Sequence, residues 1–121
     1  MASPRGTRSV PEQFAGRWQV VETDLVLLHG LDGIACGQIT FWPWGDGVLR
    51  LGEVEGDLDC RVDDDRLEFS WLGTFRGEPA GGRGFAEVTA SDRLEGRIYF
   101  HKADESDFVA VRSFGQAKQG A

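Results

Sequence analysis

Apolar and polar residues alternate along most of this chain, and this alternation limits the folds that the chain can adopt. From Leu67 to Trp71 every second residue is large and apolar, with Glu68 and Ser70 between them. The same pattern recurs from Leu58 to Val62. Successive side chains of a β-strand point to opposite faces, whereas an amphipathic helix needs apolar residues three and four positions apart. The pattern therefore predicts strands with one buried and one solvent-facing side.

The glycine content favours the same fold class. Glycine supplies 17 of the 121 residues, about twice the roughly 7% that is usual in proteins. Each glycine inside a helix would cost about 1 kcal/mol, so a helical bundle is disfavoured. Hydrophobic residues make up 40% of the chain, which is enough apolar surface to disfavour disorder. We interpret the chain as about eight strands, over residues 14–24, 34–42, 48–55, 58–63, 67–72, 83–90, 93–101 and 107–114.

The segments between these strands predict how the strands are joined. Gly56-Asp57 is typical of a two-residue hairpin turn, and residues 73–82 form a longer glycine-rich loop. Residues 25–32 are the one segment expected to be a short helix, directly after the first strand. Short connections between consecutive strands produce an antiparallel meander, and closure removes its edges. The predicted fold is therefore an all-β, up-and-down antiparallel barrel of about eight strands with one short helix.

The two ends of the chain lack this periodicity. Residues 1–12 and 115–121 are predicted to be flexible tails on a single domain that spans residues 13–114. Neither a signal-peptide pattern nor a run of roughly 20 apolar residues is present. We therefore expect a soluble, cytoplasmic protein, in which Cys36 and Cys60 are reduced thiols.

The charge balance narrows the class of partner. Twenty acidic residues stand against thirteen basic ones, for a formal net charge of -7. A protein that tracks phosphates on nucleic acid needs a basic stripe, and an anionic membrane surface attracts basic segments. Neither nucleic acid nor a membrane is an expected partner.

Three features resemble the calycin superfamily of lipocalin-like and fatty-acid-binding-like barrels. They are Gly16-x-Trp18 on the first strand, the short helix after it, and Arg112 near the end of the last strand. The resemblance implies that Trp18 closes one end of the barrel and that Arg112 packs across it. Some bacterial calycin barrels bind haem through one cavity-facing histidine, but His101 has the outward parity, so no haem is expected. The segments LDCR, EFSW, GRGFA and LEGRIYFH also resemble a group of small uncharacterised bacterial proteins, which implies no function.

The barrel interior is the first candidate site. Eight-stranded barrels are either filled by side chains or hold one small ligand. Small residues on the late strands, such as Gly84 and Gly96, favour a pocket beneath residues 73–82, whereas the many large inward residues favour a filled core. Glu22 has the parity of an inward residue near one mouth. The leading interpretation is a non-catalytic barrel that binds a small apolar or amphipathic ligand beneath residues 73–82. The expected binding residues are Phe69, Trp71, Gly84, Gly96, Ile98, Phe100 and Phe108.

The alternative is a protein-interaction module with a filled barrel. Trp42 and Trp44 flank a proline at a predicted hairpin tip, and tryptophans in loops are frequent anchors of interfaces. The acidic surface would steer a basic partner. The competing interpretation is that Trp42 only packs against the barrel or under the amino-terminal tail.

Catalysis and metal binding have little support in the sequence. No Gly-x-Ser-x-Gly elbow surrounds Ser70, and Cys60 occupies a predicted core position, where thiols are inert. The acidic residues near Asp57 and Asp104 lack the spacing of a calcium loop. We expect neither an enzyme nor a bound cofactor or metal.

Overall fold

The computed structural model describes residues 9–23, 37–101 and 105–112. In this part of the chain, eight antiparallel strands form a closed barrel, in which each strand pairs with the next and β8 pairs with β1. The predicted all-β, eight-stranded up-and-down barrel is confirmed. The helix predicted over residues 25–32 lies outside the described residues. The strands are β1 (Gly16–Thr23), β2 (Gly37–Phe41), β3 (Asp46–Leu51), β4 (Val54–Asp63), β5 (Arg66–Phe75), β6 (Glu78–Ala90), β7 (Arg93–Phe100) and β8 (Glu105–Arg112).

The hairpin turn predicted at Gly56-Asp57 is wrong. The turn between β3 and β4 lies at Gly52-Glu53, where Gly52 has a φ of 62°. Gly56 sits inside β4 opposite Gly73, and a Cβ atom at this position would lie 2.8 Å from Cε3 of Trp71. This glycine is therefore explained by the space that an indole ring needs, and not by a turn.

The long loop predicted over residues 73–82 is also wrong. β5 continues to Phe75 and β6 starts at Glu78, so only Arg76 and Gly77 form the turn. Both have positive φ, 57° and 84°, as in the turn type that suits the twist of a hairpin. Gly73, Gly81 and Gly82 lie within strands. Glycine is needed at these positions because neighbouring backbone atoms approach closely. A Cβ atom at Gly82, for example, would meet the carbonyl oxygen of Tyr99.

A β-bulge in β1 reverses the expected direction of Glu22. The pairing of β1 with β8 shifts between Val20 and Glu22, so that Val20 lies opposite Ala110 and Glu22 lies opposite Val109. An extra residue in one strand reverses the alternation of the residues beyond it. Glu22 is therefore exposed on the outer face, which corrects the expectation that it faces inward.

The inward side chains form one continuous core. The largest fully buried side chains include Trp18, Phe14, Phe41, Ile39, Leu49, Leu51, Leu67, Leu94 and Ile98. Packing begins before the first strand, because Val10 is buried and its backbone N–H donates to the carbonyl oxygen of Pro43 at 2.8 Å. Among the described residues, none forms a helix of the length and apolar character needed to cross a membrane.

Candidate functional site

The carboxyl end of β8 packs against the start of β1 at one end of the barrel. The guanidinium carbon of Arg112 lies 4.1 Å from the centre of the buried Trp18 ring. The same guanidinium donates to the carbonyl oxygens of Ala15 at 2.6 Å and Gln13 at 3.1 Å. Gly16 leaves room for it, since a Cβ atom there would lie 3.2 Å from Nη1 of Arg112. These contacts hold the chain that enters β1 against the end of β8.

Inside the barrel, aromatic rings occupy the space above the inward glycines. Phe69 is paired with Gly84 across β5 and β6, and a Cβ atom at Gly84 would lie 2.6 Å from Cε1 of that ring. Phe108 is paired with Gly96 across β7 and β8, and a Cβ atom at Gly96 would lie 2.8 Å from Cζ of Phe108. Glycine next to an aromatic side chain on the neighbouring strand is a recognised way to stabilise such a pair. The rings of Phe69 and Phe108 therefore occupy the space that side chains at Gly84 and Gly96 would need.

The remaining predicted ligand-binding residues lie towards the opposite end of the interior. Trp71 and Phe100 pack edge to face with ring centres 5.4 Å apart, and the indole N–H of Trp71 donates to the carbonyl oxygen of Tyr99 at 3.2 Å. Phe75 joins this cluster 6.5 Å from Phe100, and both phenylalanine rings are half-buried. Ile98 is buried in the core. Binding of a small apolar ligand by these residues stays a prediction.

The outer surface carries a second aromatic arrangement, at the hairpin between β2 and β3. The backbone N–H of Trp42 donates to the carbonyl oxygen of Asp46 at 2.8 Å, and that of Gly45 donates to Trp42 at 3.0 Å. Gly45 has a φ of 107°, which explains why glycine stands there. Within this fixed turn the rings of Trp42 and Trp44 stack, with centres 5.9 Å apart and planes 4° from parallel. Trp42 is half-buried and Trp44 is 62% exposed.

A shallow groove runs from this indole pair across the outside of β2 to β5. The register places Thr40, Val48, Asp57 and Leu72 side by side on consecutive strands, and outward residues on such a row share one surface. Leu72 is 73% exposed. We call this surface the Trp42–Leu72 groove, and its lining residues are Arg17, Gln38, Thr40, Trp42, Val48, Leu49, Arg50, Glu55, Gly56, Asp57, Leu72, Gly73 and Thr74.

Leu72 is the site residue that the sequence analysis missed. It directly follows the inward Trp71, so two large apolar residues stand together where the alternation calls for a polar one. Among the described residues, the large apolar side chains that are exposed are Val21, Trp44 and Leu72. Leu72 lines the groove, and Trp44 stacks on Trp42, which also lines it. This break in the alternation was the available signal for an outward apolar residue.

The four tryptophans differ in how their indole N–H groups are satisfied. Trp18 donates to the carbonyl oxygen of Phe14 at 2.9 Å, and Trp71 donates to that of Tyr99. Within the described part of the chain, the indole N–H groups of Trp42 and Trp44 have no acceptor. The outer pair therefore offers two hydrogen-bond donors as well as apolar ring surface.

The charges of the groove are balanced. Arg50 lies 3.8 Å from Glu55, and both side chains are more than half exposed, so this ion pair contributes little to stability. Arg17 borders the groove on β1, and Asp57 lies between Val48 and Leu72. In the described ranges neither Arg17 nor Asp57 forms an ion pair. The groove thus presents one available cation and one available anion beside its apolar residues.

The opposite outer face, on β6 to β8, is instead a network of internal ion pairs. Nε of Arg97 lies 2.7 Å from Asp107, and this hydrogen bond raises the pKa of Arg97. Arg93 donates to Glu95 at 2.9 Å, and this hydrogen bond lowers the pKa of Glu95, with a second contribution from Thr89. Charged side chains on this face are thus directed mainly at one another.

Other sequence candidates do not assemble into a reactive site in the described residues. Cys60 is buried in the core, while Cys36 lies outside the described residues. Ser70 and His101 are exposed. Over residues 9–23, 37–101 and 105–112, no three histidine, cysteine or acidic side chains are grouped as metal ligands would be.

Comparison of the chain with protein-family models, with curated proteins and with solved structures finds no match. Function is therefore inferred from the chemistry of the site itself.

Proposed function

We propose that this chain is a non-catalytic protein-interaction module that docks a basic partner protein on the Trp42–Leu72 groove. The observation that carries the proposal is the position of Trp44, which is 62% exposed while it stacks on Trp42 at the edge of the groove. Tryptophan is enriched among the residues that anchor interfaces, and Trp44 leaves most of its ring surface accessible to a partner.

The packing beside the inward glycines supports this function over binding of a ligand between the late strands. Phe69 and Phe108 occupy the space that Gly84 and Gly96 open. A closed barrel with such a core gives a rigid platform, because its outward side chains are positioned by strands that are paired on both sides. Rigid elements hold binding residues with less loss of entropy than loops do.

The acidic character of the chain favours a basic partner. The formal net charge of -7 creates a negative potential around the barrel, and complementary charge raises the rate of association and excludes acidic competitors. The apolar contact then supplies affinity. Burying an exposed Leu side chain gains about 1.5–3 kcal/mol, but association costs several kcal/mol in lost translational and rotational freedom. Trp44 and Leu72 therefore supply part of the affinity, and the other contacts of the groove must supply the rest.

The proposal is tested by site-specific photo-crosslinking in the cells from which the chain comes. A photoreactive residue replaces Leu72 in one protein and Ser91, on the β6–β7 turn, in a matched control. We expect a discrete adduct from position 72 that Trp44→Ala abolishes. The captured protein, purified and titrated with the full chain, is expected to be basic and to bind at least about tenfold more weakly to Trp44→Ala, which corresponds to roughly 1.4 kcal/mol.

Three results would overturn the proposal. Positions 72 and 91 could yield the same adducts, the adducts at position 72 could persist in Trp44→Ala, or the purified partner could be acidic. Each would show that the Trp42–Leu72 groove is not a specific docking surface for a basic protein.

A small apolar ligand is the second candidate, and one observation favours it. Phe75 and Phe100 are half-buried beside Trp71, at the end of the interior opposite Arg112. A ligand at this end would cover their exposed edges and alter the emission of Trp71. The test is a fluorescence titration of a Trp44→Phe variant with a panel of apolar probes, and the absence of any saturable change would eliminate this candidate.

A further inference from the structure

We infer that the segment docked on the Trp42–Leu72 groove is a proline-rich stretch in the polyproline II conformation, with a basic residue placed against Asp57. This inference rests on the proposed function and specifies the chemistry of the partner. The strand pairing of the barrel limits the ways in which a peptide can bind. Within the groove, Asp57 and the indole N–H groups of Trp42 and Trp44 have no partner among the described residues.

Strand addition is not available to a partner at the groove. A peptide that adds a strand needs a sheet edge with free backbone N–H and C=O groups. The strands that carry the groove, β2 to β5, are each paired with a neighbouring strand on both sides. A partner must therefore bind through side chains of the outer surface.

The groove also does not suit an amphipathic helix. A docked helix buries a broad apolar stripe in an apolar trough. Here Thr40 lies beside Val48, and Asp57 lies between Val48 and Leu72, so the outward row alternates polar and apolar residues. The apolar surfaces of Val48 and Leu72 are small and are separated by Asp57. An extended ligand can place single side chains on each of them, whereas a helix would present one continuous apolar face.

The indole pair supplies what a polyproline II segment requires. This conformation has no internal hydrogen bonds, so its carbonyl oxygens are available to donors on a partner, and aromatic-lined grooves recognise it. The indole N–H groups of Trp42 and Trp44 have no acceptor among the described residues. The exposed face of Trp44 is a flat apolar surface on which a pyrrolidine ring packs. Ring surface and donors therefore occur together at one end of the groove.

Asp57 sets the position of the basic residue. Its side chain is exposed on the outer row between Val48 and Leu72, and it makes no ion pair within the described ranges. Arg50 on β3 is already beside Glu55. Arg17 also lines the groove, but the register places it on β1, three strands away from Asp57. A cation carried by the ligand can therefore approach Asp57, and this charge contact gives the interaction a salt dependence.

The inference is tested with defined peptides and the full chain. The probe is an acetylated oligoproline with one central arginine, and two matched peptides replace either the prolines by alternating serine and glycine or the arginine by glutamate. Binding is followed by tryptophan emission and by the indole N–H resonances of Trp42 and Trp44. We expect saturable binding of the arginine oligoproline, with the serine-glycine peptide at least about tenfold weaker because it must lose more chain entropy.

Variants assign the contacts. Trp44→Ala is expected to weaken binding at least about tenfold. Asp57→Asn is expected to reduce the preference for the arginine peptide over the glutamate peptide by about threefold or more. Val21→Ala removes an exposed apolar side chain on β1, outside the groove, and is expected to leave binding unchanged. Leu72→Ser provides a second groove variant, and far-ultraviolet circular dichroism verifies that each variant is folded.

Several results would overturn the inference. Equal binding of the serine-glycine peptide would show that the polyproline conformation is not recognised, and undiminished binding to folded Trp44→Ala and Leu72→Ser would place the site elsewhere. Self-association that Trp44→Ala removes would identify a second copy of this chain as the occupant. If the oligoproline does not bind while the crosslinked basic partner does, the inference fails and the proposed function stands. If neither binds, both fail.

Discussion

The guanidinium of Arg112, on the last strand, stacks 4.1 Å above the indole of Trp18 on the first strand. It also donates to two carbonyl oxygens of the segment that precedes β1, those of Ala15 and Gln13. One side chain therefore connects the ring that closes the core, the start of β1 and the end of β8. We expect it to contribute more to stability than any ion pair on the outer surface.

Replacing Arg112 by alanine is expected to lower the free energy of unfolding by about 2 kcal/mol, since it removes a cation–π contact and charge-assisted hydrogen bonds. Lysine at this position keeps the charge but not the planar fork, so Arg112→Lys should restore less than half of the loss. Urea denaturation with an unchanged m value measures the effect. Arg50→Ala is the control, because it breaks only the exposed pair with Glu55 and should cost less than about 0.5 kcal/mol. Equal losses in the two variants would contradict this assignment.

Alanine at Gly84 is expected to destabilise the barrel by about 1–3 kcal/mol through overpacking. Its Cβ atom would lie 2.6 Å from Cε1 of Phe69. Phe69→Leu shortens that side chain, so the double variant should show a coupling energy of more than about 0.5 kcal/mol in a double-mutant cycle. If the interior had room at this point, Gly84→Ala would be neutral or stabilising.

Gly96 supplies the matched comparison. An added Cβ atom would meet a backbone carbonyl oxygen at both positions, but the contact with Phe85 at Gly96 is closer than the 2.7 Å contact with Arg97 at Gly84. At Gly96 the backbone contact is closer than the contact with the Phe108 ring, whereas at Gly84 the Phe69 ring is the closer neighbour. A backbone group cannot be relieved by shortening a side chain, so Phe108→Leu should rescue Gly96→Ala less than Phe69→Leu rescues Gly84→Ala. The same coupling at both positions would show that backbone approach does not determine the choice of glycine at position 96.

The pKa of Glu95 predicts a pH-dependent contribution. A hydrogen bond from Arg93 holds this pKa below the ordinary glutamate value, which is about 4.3. A carboxyl group whose pKa is lowered by folding stabilises the fold above its unfolded pKa and loses that effect as pH falls through its folded pKa. Arg93→Ala should therefore raise the pKa of Glu95, measured by carboxyl-carbon resonances. The stability difference between wild type and Arg93→Ala should be present at neutral pH and shrink in acid. A difference that persists below pH 3 or so would assign it to packing instead.

Truncation of the exposed Trp44 and of the buried Trp71 should change the free energy of unfolding by very different amounts. Trp44→Ala is expected to change the free energy of unfolding by less than about 0.5 kcal/mol, as surface substitutions usually do. Trp71→Ala should cost about 3–5 kcal/mol, because the indole is 3% exposed and its cavity cannot be filled. Thermal and urea unfolding compare the two. A large loss in Trp44→Ala would show that this ring is part of the packing and would weaken its role as a docking residue.

The alternation of apolar residues was sufficient to predict the architecture. Leu67, Phe69 and Trp71 face the core, as their spacing requires, and consecutive hairpins close into the expected barrel. Single-residue geometry was not predictable by the same means. The bulge near Glu22 depends on the register between β1 and β8, which lie far apart in the sequence.

Glycine was the main source of error in the connections. Because glycine is typical of turns and loops, the sequence predicts a turn at Gly56 and a loop over residues 73–82. In the structure, Gly56, Gly73 and Gly82 lie within strands, where a side chain would meet a ring or a neighbouring backbone. Such requirements arise from pairs of strands, so a single sequence does not show them. Of this surface the sequence predicts only Trp42 and Trp44, because Leu72 falls within a predicted strand.

Closure of β8 on β1 also has a consequence for synthesis on the ribosome. The other strand pairings join neighbours in the sequence, whereas Trp18 must wait for Arg112, which is added to the nascent chain much later. Until then, β1 lacks one of its partners and the Trp18 ring lacks its cover. Stalled nascent chains that end before β8 are therefore expected to be cleaved readily by protease, whereas chains from which Arg112 has emerged become resistant. We therefore expect the barrel to close only after the last strand has been made.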